Sequence, residues 1–195
     1  MTKGRLEAFS DGVIAIIITI MVLELKVPQG ADLAALSPLL PKLLSYILSF
    51  VFLGIYWNNH HHLFQLVHHV NGRILWANLH LLFWLSLTPF VTDWMGENSF
   101  SPLPVALYAI VLWFDGFAFY ILASSLVVIH GRDSALAVAL GDDAKGRISL
   151  VLYTLAIPLA FVYTWLALGL LVAVAIIWFI PDRRIENTID REHTS

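Results

Sequence analysis

The second apolar segment of the chain contains five histidines, the residue type that most often binds metal ions in proteins. They are His60, His61, His62, His68 and His69. Successive residues of a helix point about 100° apart, so three histidines in a row cannot converge on one ion, and His61 and His68 lack i, i+4 spacing. No acidic residue lies nearby in the sequence to complete a site. We therefore predict no structural metal, and interpret Asn58, His61, Gln65 and His68 as a polar stripe that hydrogen-bonds to other helices.

Two isolated aspartates are the other candidates for chemistry, because each lies in an otherwise apolar segment. A carboxylate inside a membrane costs several kcal/mol unless it is paired. Asp11 is either solvated at the level of the lipid headgroups or paired, with Arg5 or the histidines of the second segment as candidate partners. For Asp115 we favour a hydrogen-bonded packing residue over a proton relay.

The sequence lacks the motifs of the common enzyme classes. It has no Gly-x-Ser-x-Gly, no glycine-rich phosphate loop, no His-Glu-x-x-His and no cysteine. The Thr-Val-Gly-Tyr-Gly carbonyl filter is also absent, so any selection among ions falls to side chains. A net charge of -3 gives no basic surface for nucleic acid. We predict that the chain is not an enzyme and binds no nucleic acid.

The composition is that of an integral membrane protein. Of 195 residues, 59% are hydrophobic and 13% are charged, and the mean hydropathy is +0.79. Soluble domains are roughly half apolar and about a quarter charged. Only helices and closed barrels satisfy their backbone in lipid, and alternation with a period of two is absent, so we predict an all-α fold. Glu7 and Asp11 interrupt any signal peptide, and the first helix is expected to be retained.

Six transmembrane helices are predicted within a domain over residues 1–181, followed by a cytoplasmic tail over 182–195. The helices cover about 3–25, 43–70, 74–94, 105–130, 148–162 and 165–181. The apolar run over 148–181 is divided because a single helix of that length would reach about 51 Å, and the hydrocarbon core spans about 30 Å. The aromatic residues Phe161, Tyr163 and Trp165 fit the intervening turn. Residues 131–146 are expected to form an exposed cytoplasmic loop.

The distribution of lysine and arginine orients these helices, because both residues concentrate in cytoplasmic loops. With six spans and a cytoplasmic N-terminus, nine basic residues lie inside and two outside. The inside set is Lys3, Arg5, Arg73, Arg132, Lys145, Arg147, Arg183, Arg184 and Arg191; the outside set is Lys26 and Lys42. Both termini are therefore predicted to be cytoplasmic.

The first helix carries a stripe of residues that lie within about 100° of one another around its axis. They are Arg5, Phe9, Gly12, Ile16, Thr19, Ile20 and Leu23. Ser10 and Asp11 point elsewhere. One face of the helix is thus almost entirely apolar, and the opposite side carries the acid.

Residues 5–12 resemble the Arg-x-x-x-Phe-Ser-Asp signature of the endolysosomal potassium channel family known as transmembrane protein 175 and its bacterial homologues. Trp57-x-x-His60-His61-x-x-Phe64, residues 78–90 and residues 178–184 resemble the family in the same order. The resemblance implies a six-helix subunit with cytoplasmic termini. One copy of the signature implies a homotetramer in which four first helices line a central pore.

The resemblance also assigns roles to residues. Ile16 falls on the narrow hydrophobic layer of the pore, and further layers fall on Thr19 or Ile20 and on Leu23, so potassium would pass near Ile16, Thr19 and Leu23. A ring of Thr19 hydroxyls would contact a partly dehydrated cation, whereas isoleucine and leucine rings only constrict the path. The structural network that fixes the first helix would consist of Arg5, Phe9, Ser10 and Asp11, with His60 or His61.

The function implied is a potassium-permeable, weakly selective cation channel, with a secondary transporter or proton-coupled carrier as the alternative. No cofactor is expected beyond the permeant potassium. The expected partners are the lipid bilayer, potassium and other monovalent cations, and further copies of the chain. The expected location is the cell membrane, as a multi-pass protein of the bacterial inner membrane.

Overall fold

The computed structural model describes residues 2–131, 133–141 and 143–179, and these residues form helices and no β-strand. The elements are α1 (Lys3–Leu23), a 3₁₀-helix (Leu33–Leu39), α2 (Leu40–Gln65), α3 (Gly72–Leu85), α4 (Thr88–Glu97), α5 (Pro102–His130), α6 (Ala135–Leu140), α7 (Ala144–Val162) and α8 (Thr164–Phe179). The predicted all-α class is confirmed.

Several helical segments of this described part suit a bilayer. Five are long and apolar enough to cross one: Lys3–Leu23, Leu33–Gln65, Gly72–Glu97, Pro102–His130 and Ala144–Val162. The helix α8 is apolar but shorter, with 16 residues. Length and composition thus agree with a multi-pass membrane protein.

The second helix ends earlier than predicted, at Gln65 rather than at residue 70. The reason lies in the segment that follows. Asn71 adopts an extended conformation, and its side chain accepts a hydrogen bond from the Ile74 backbone N–H, as an N-cap of α3 does. The backbone N–H groups of His68 and His69 donate to His130 Nε2, at 3.1 and 3.3 Å, instead of continuing the helix.

The third predicted helix, over 74–94, falls within one candidate span, Gly72–Glu97, which the structure divides into α3 and α4. The chain leaves the helix at Ser86 and Leu87 and resumes it in α4, which continues to Glu97. Pro89 lies in the first turn of α4 and has no backbone N–H to donate to the preceding turn. The Ser86 hydroxyl donates to the Phe83 carbonyl at 2.6 Å, which satisfies one of the carbonyls that the break leaves without a helical partner.

The segment predicted as an exposed loop over 131–146 also differs, because it contains α6 with Leu136 only 1% exposed. Ser134 caps this helix by accepting a hydrogen bond from Ala137 N–H, and Leu136 joins the core formed by α1, α2, α3 and α5. Residues 132 and 142 lie outside the described residues. So does the predicted tail over 182–195, together with the part of the 178–184 resemblance that follows Phe179.

Two cores hold the helices together. The first is formed by α1, α2, α3 and α5, and the second by α2, α4, α5, α7 and α8. Alanines at the contact between α7 and α8 let the two backbones approach closely: Ala156, Ala160, Ala167 and Ala175. Residues of α1 that do not enter the first core, among them Ile16 and Leu23, remain exposed in the single chain.

Contacts between residues near the ends of the helices mark the two ends of the bundle. At one end, Lys3 Nζ donates to the Gln65 carbonyl at 3.4 Å. At the other end, Lys26 and Lys42 both lie next to Glu97. We refer to these as the Lys3 end and the Lys42 end.

Candidate functional site

The first helix has one buried and one exposed face. Its buried residues are Leu6, Ser10, Ile14, Ile17 and Met21. All seven residues of the predicted stripe are exposed, among them Ile16 at 59% and Leu23 at 79%, whereas Ile17 is 4% exposed. A contiguous apolar face of this kind requires either lipid or other copies of the chain to cover it.

Thr19 is the hydroxyl-bearing residue of this exposed face. Its Oγ1 donates a hydrogen bond to the Ile16 carbonyl at 2.8 Å. Because the proton is directed into the helix, the oxygen lone pairs remain available to a cation. Ile16, Ile20 and Leu23 present only methyl groups, which narrow a path without replacing water of hydration.

Behind the exposed face, a fully buried hydrogen-bond network joins α1 to α2 and α3. Asn78 Nδ2 donates to Ser10 Oγ at 2.9 Å, and the Ser10 hydroxyl donates in turn to the Leu6 carbonyl at 2.9 Å. His60 Nε2 lies 2.8 Å from Asn78 Oδ1. An amide oxygen only accepts, so His60 carries its proton on Nε2. The three side chains are at most 2% exposed, so each depends on the others for its hydrogen bonds.

A second, exposed set of contacts joins α1 to α2. Trp57 Nε1 donates to Asp11 Oδ1 at 3.0 Å, and the Trp57 ring stacks on His61 with a centroid distance of 6.1 Å. Gln65 Nε2 donates to His61 Nε2 at 2.9 Å, and Gln65 Oε1 accepts from His62 Nδ1 at 3.4 Å. These contacts orient Trp57 toward Asp11.

The predicted network is therefore corrected in two respects. Ser10 and His60 belong to one set of contacts, and Asp11 and His61 belong to another. Within the described residues, Arg5 and Phe9 are exposed and take part in neither set. The partner of Asp11 is the Trp57 indole rather than Arg5 or a histidine.

Asp115 also differs from its prediction. It is completely buried in α5, and neither carboxyl oxygen has a hydrogen-bond partner in the described part of the chain. The Asp115 carboxyl group interacts electrostatically with three neighbouring tyrosines, Tyr56, Tyr108 and Tyr153. The Tyr108 hydroxyl is instead bonded to Ser49 at 2.9 Å. The interpretation of Asp115 as a hydrogen-bonded packing residue is wrong.

A cavity of about 200 Å³ is lined by residues of α2, α5, α7 and α8. Its lining includes the aromatic side chains of Tyr56, Phe117, Tyr120 and Tyr153. No residue of α1 is among those that line it, so it is separate from the predicted ion path.

Sequence reasoning did not find the ionic junction at the Lys42 end. Lys42 Nζ lies 2.9 Å from Asp93 and 2.5 Å from Glu97, and it donates to the Glu24 carbonyl at 3.3 Å. The spacing of Asp93 and Glu97, four residues apart on α4, was the available signal, because i, i+4 acids can bind one cation from the same helix face. This junction ties the end of α1 to α2 and α4.

The family described as "Endosomal/lysosomal potassium channel TMEM175" matches residues 5–89. A potassium channel of Chryseobacterium sp. (strain P1-3) is 56% identical, over 97% of this chain and 98% of its own length. A potassium channel of Chamaesiphon minutus is 31% identical, over 89% of this chain and 91% of its own.

The fold has a counterpart among solved structures. The crystal structure of a lysosomal potassium-selective channel TMEM175 homologue from Chamaesiphon minutus matches with a TM-score of 0.77 and 30% sequence identity. The match covers 91% of this chain and 96% of that chain, so the similarity includes nearly all of both bundles.

Proposed function

This chain belongs to the endosomal/lysosomal potassium channel TMEM175 family, and from that premise we propose that it forms a potassium-permeable cation channel. The matched relatives are named as channels and not as enzymes, in agreement with the prediction of no enzymatic activity. The chain spans nearly the full length of these bacterial relatives, so one copy of this chain corresponds to one copy of each relative's chain.

The observation that carries the proposal is the division of α1 into two faces. Ile17 and Met21 pack inside the subunit, while Ile16, Thr19 and Leu23 point away from it. If copies of α1 meet around an axis, the exposed face becomes the lining of a pore. The Ile16 methyl groups then form the hydrophobic constriction, and no carbonyl filter is needed.

Weak selectivity for potassium follows from this lining. The path has two further layers. One is formed by Thr19 or by Ile20, and the other by Leu23. The Thr19 oxygen can contact a partly dehydrated cation, but hydroxyl oxygens are fewer and less strongly oriented than the rings of carbonyls in ordinary potassium channels. Potassium and other monovalent cations pass near Ile16, Thr19 and Leu23.

A homotetramer in a cell membrane, with both termini in the cytoplasm, completes the proposal. One copy of the six-helix unit supplies one pore-lining helix, so several copies must assemble. Mass measurement of the purified protein in mild detergent tests this arrangement. A stable monomer or dimer would contradict it.

The alternative is a secondary transporter or proton-coupled carrier, and Asp115 is the observation that favours it. Carriers place ionisable groups and interrupted helices near the middle of the membrane. Asp115 is buried without a partner among the described residues, and the break between α3 and α4 is an interrupted helix.

Flux measurements on purified protein in liposomes separate the two functions. A channel gives potassium flux that continues to rise with driving force and needs no second ion. A carrier gives saturating flux that stops when its coupling ion is removed. Potassium, sodium and proton flux measured in the same vesicles decide between them.

A further inference from the structure

We infer that Glu24 raises conductance at low ionic strength, because its carboxylate raises the cation concentration at the Lys42 end of the path lined by α1. This inference rests on the proposed channel function. It adds a residue outside the apolar face, and it depends on an electrostatic field rather than on coordination of the ion.

Glu24 follows directly on the exposed face of α1. Leu23 is the last residue of that face, and Glu24 is the exposed C-cap residue, still in a right-handed helical conformation. At about 100° per residue, Glu24 lies about 40° around the axis from Ile20 and about 20° from Ile17, so it lies beside the exposed face rather than within it, and its side chain is exposed because the helix ends there. Because Glu24 directly follows Leu23, it lies at the level where a path lined by Ile16 and Leu23 would open at the Lys42 end.

The charges at this end of the bundle do not cancel. The described residues there include four acids, Glu24, Asp32, Asp93 and Glu97, and two lysines, Lys26 and Lys42, which gives -2 for each subunit. Both lysines are held by the acids of α4: Lys42 by Asp93 and Glu97, and Lys26 by Glu97 at 3.6 Å. The excess negative charge therefore falls on Glu24 and Asp32.

The Glu24 carboxylate has no ion-pair partner within the described ranges, although the Glu24 backbone is held by a hydrogen bond. Lys42 Nζ binds the Glu24 backbone carbonyl at 3.3 Å, which fixes the end of α1 while leaving the side chain exposed. The C-terminal carbonyls of α1 add partial negative charge at the same point. Fixed negative charge at a narrow mouth raises the local concentration of cations and the rate at which they enter.

The test is the current through single channels in planar bilayers, with Glu24→Gln compared with the wild-type protein. At about 10 mM potassium chloride the Debye length is about 30 Å, and at about 1 M it is about 3 Å. We expect Glu24→Gln to lower the current carried by ions entering from the Lys42 end about two- to fivefold at the low concentration, and to leave it unchanged at the high one. Glu24→Asp keeps the charge and should keep the current.

The ratio of potassium to sodium permeability should not change in Glu24→Gln, because a field acts equally on both ions. Asp32→Asn is the matched control, since it removes the same charge at the same end while asparagine can still cap the 3₁₀-helix as Asp32 does. An equal loss of current in Asp32→Asn would assign the effect to net surface charge and overturn the inference.

Two further outcomes separate this inference from the function on which it rests. A wild-type current with an unchanged Glu24→Gln current at low salt would overturn the role of Glu24 alone. A folded wild-type protein that passes no potassium current at all would remove the channel function and the inference together.

Discussion

Asn78 on α3 donates a hydrogen bond to Ser10 on α1 at 2.9 Å, inside the bundle and away from water. Through this bond, and through the contact of Asn78 with His60 on α2, the rotation of α1 about its own axis is fixed by two neighbouring helices. The direction in which Ile16 points is thus set by polar contacts on the opposite side of the same helix.

Replacing the bridging amide should destabilise the subunit. In Asn78→Leu, Ser10 and His60 each lose a partner while remaining buried, and an unpaired buried polar group costs about 1–3 kcal/mol. Thermal unfolding in detergent should occur at a lower temperature. The control is Asn98→Ala, because the Asn98 side chain is exposed and its amide donates to the Trp94 carbonyl of the preceding turn rather than to another helix. An equal loss in both variants would contradict the special role of Asn78.

The Asp11 contact should behave as a pair with Trp57. Asp11→Ala and Trp57→Phe each remove the same hydrogen bond, so the double variant should be no less stable than the worse of the two single variants. Asp11→Asn retains an oxygen that can accept from the indole and should lose less. The measurement is a double-mutant cycle on thermal stability and on oligomer mass. Additive losses would show that the two side chains act independently.

The constriction proposed at Ile16 makes the sharpest functional prediction. Ile16→Asn should raise cation flux and weaken discrimination between potassium and sodium, because a polar side chain would replace methyl groups at the ring that we propose to be the narrowest. Leu23→Ala should act in the same direction but less strongly.

The adjacent residue provides the control for this prediction. Ile17→Ala removes apolar volume at a position that is 4% exposed inside the subunit, so it should lower stability and leave flux per folded channel little changed. Flux in liposomes, normalised to reconstituted oligomer, is the measurement. Equal effects at residues 16 and 17 would indicate general loosening rather than a constriction.

Asp115 should be dispensable in a channel and essential in a proton-coupled carrier. Its carboxyl group has lost its hydration without gaining a hydrogen bond in the described residues, so Asp115→Leu should leave stability unchanged or raise it. Potassium flux through Asp115→Asn should match the wild-type flux. Loss of flux in a stably folded Asp115→Asn variant would contradict the channel and support the carrier.

Gly96 should tolerate no side chain. A Cβ at this position would lie 2.8 Å from the Lys42 Cα and 2.5 Å from the Ser45 Oγ, so α2 and α4 would have to separate. Gly96→Ala should lower the unfolding free energy by about 1–3 kcal/mol through overpacking. Gly54→Ala is the control, because nothing lies within 4 Å of its Cβ and alanine favours a helix. Unfolding in detergent should distinguish the two.

The sequence was sufficient to predict the fold class and the two faces of α1. Both depend on short-range periodicity: long runs without charge require membrane helices, and a repeat of about 3.6 residues places Ile16 and Leu23 on one side whatever the helix packs against. The exposure of that side and the burial of Ile17 agree with this reasoning. The distribution of lysine and arginine likewise predicted that Lys26 and Lys42 lie at the same end of the helical bundle, and both form ion pairs with Glu97 there.

The tertiary structure alone decided which polar groups find partners. Whether Trp57 or a histidine reaches Asp11 depends on the rotation and offset of α2 against α1, and neither is encoded in the spacing along one helix. Asp115 shows the same limit, because helical periodicity can predict that it is buried but not that every neighbouring donor points elsewhere. Hydrogen bonds require atoms to lie within about 3 Å with correct angles, and only the packing of all the helices together sets distances on that scale.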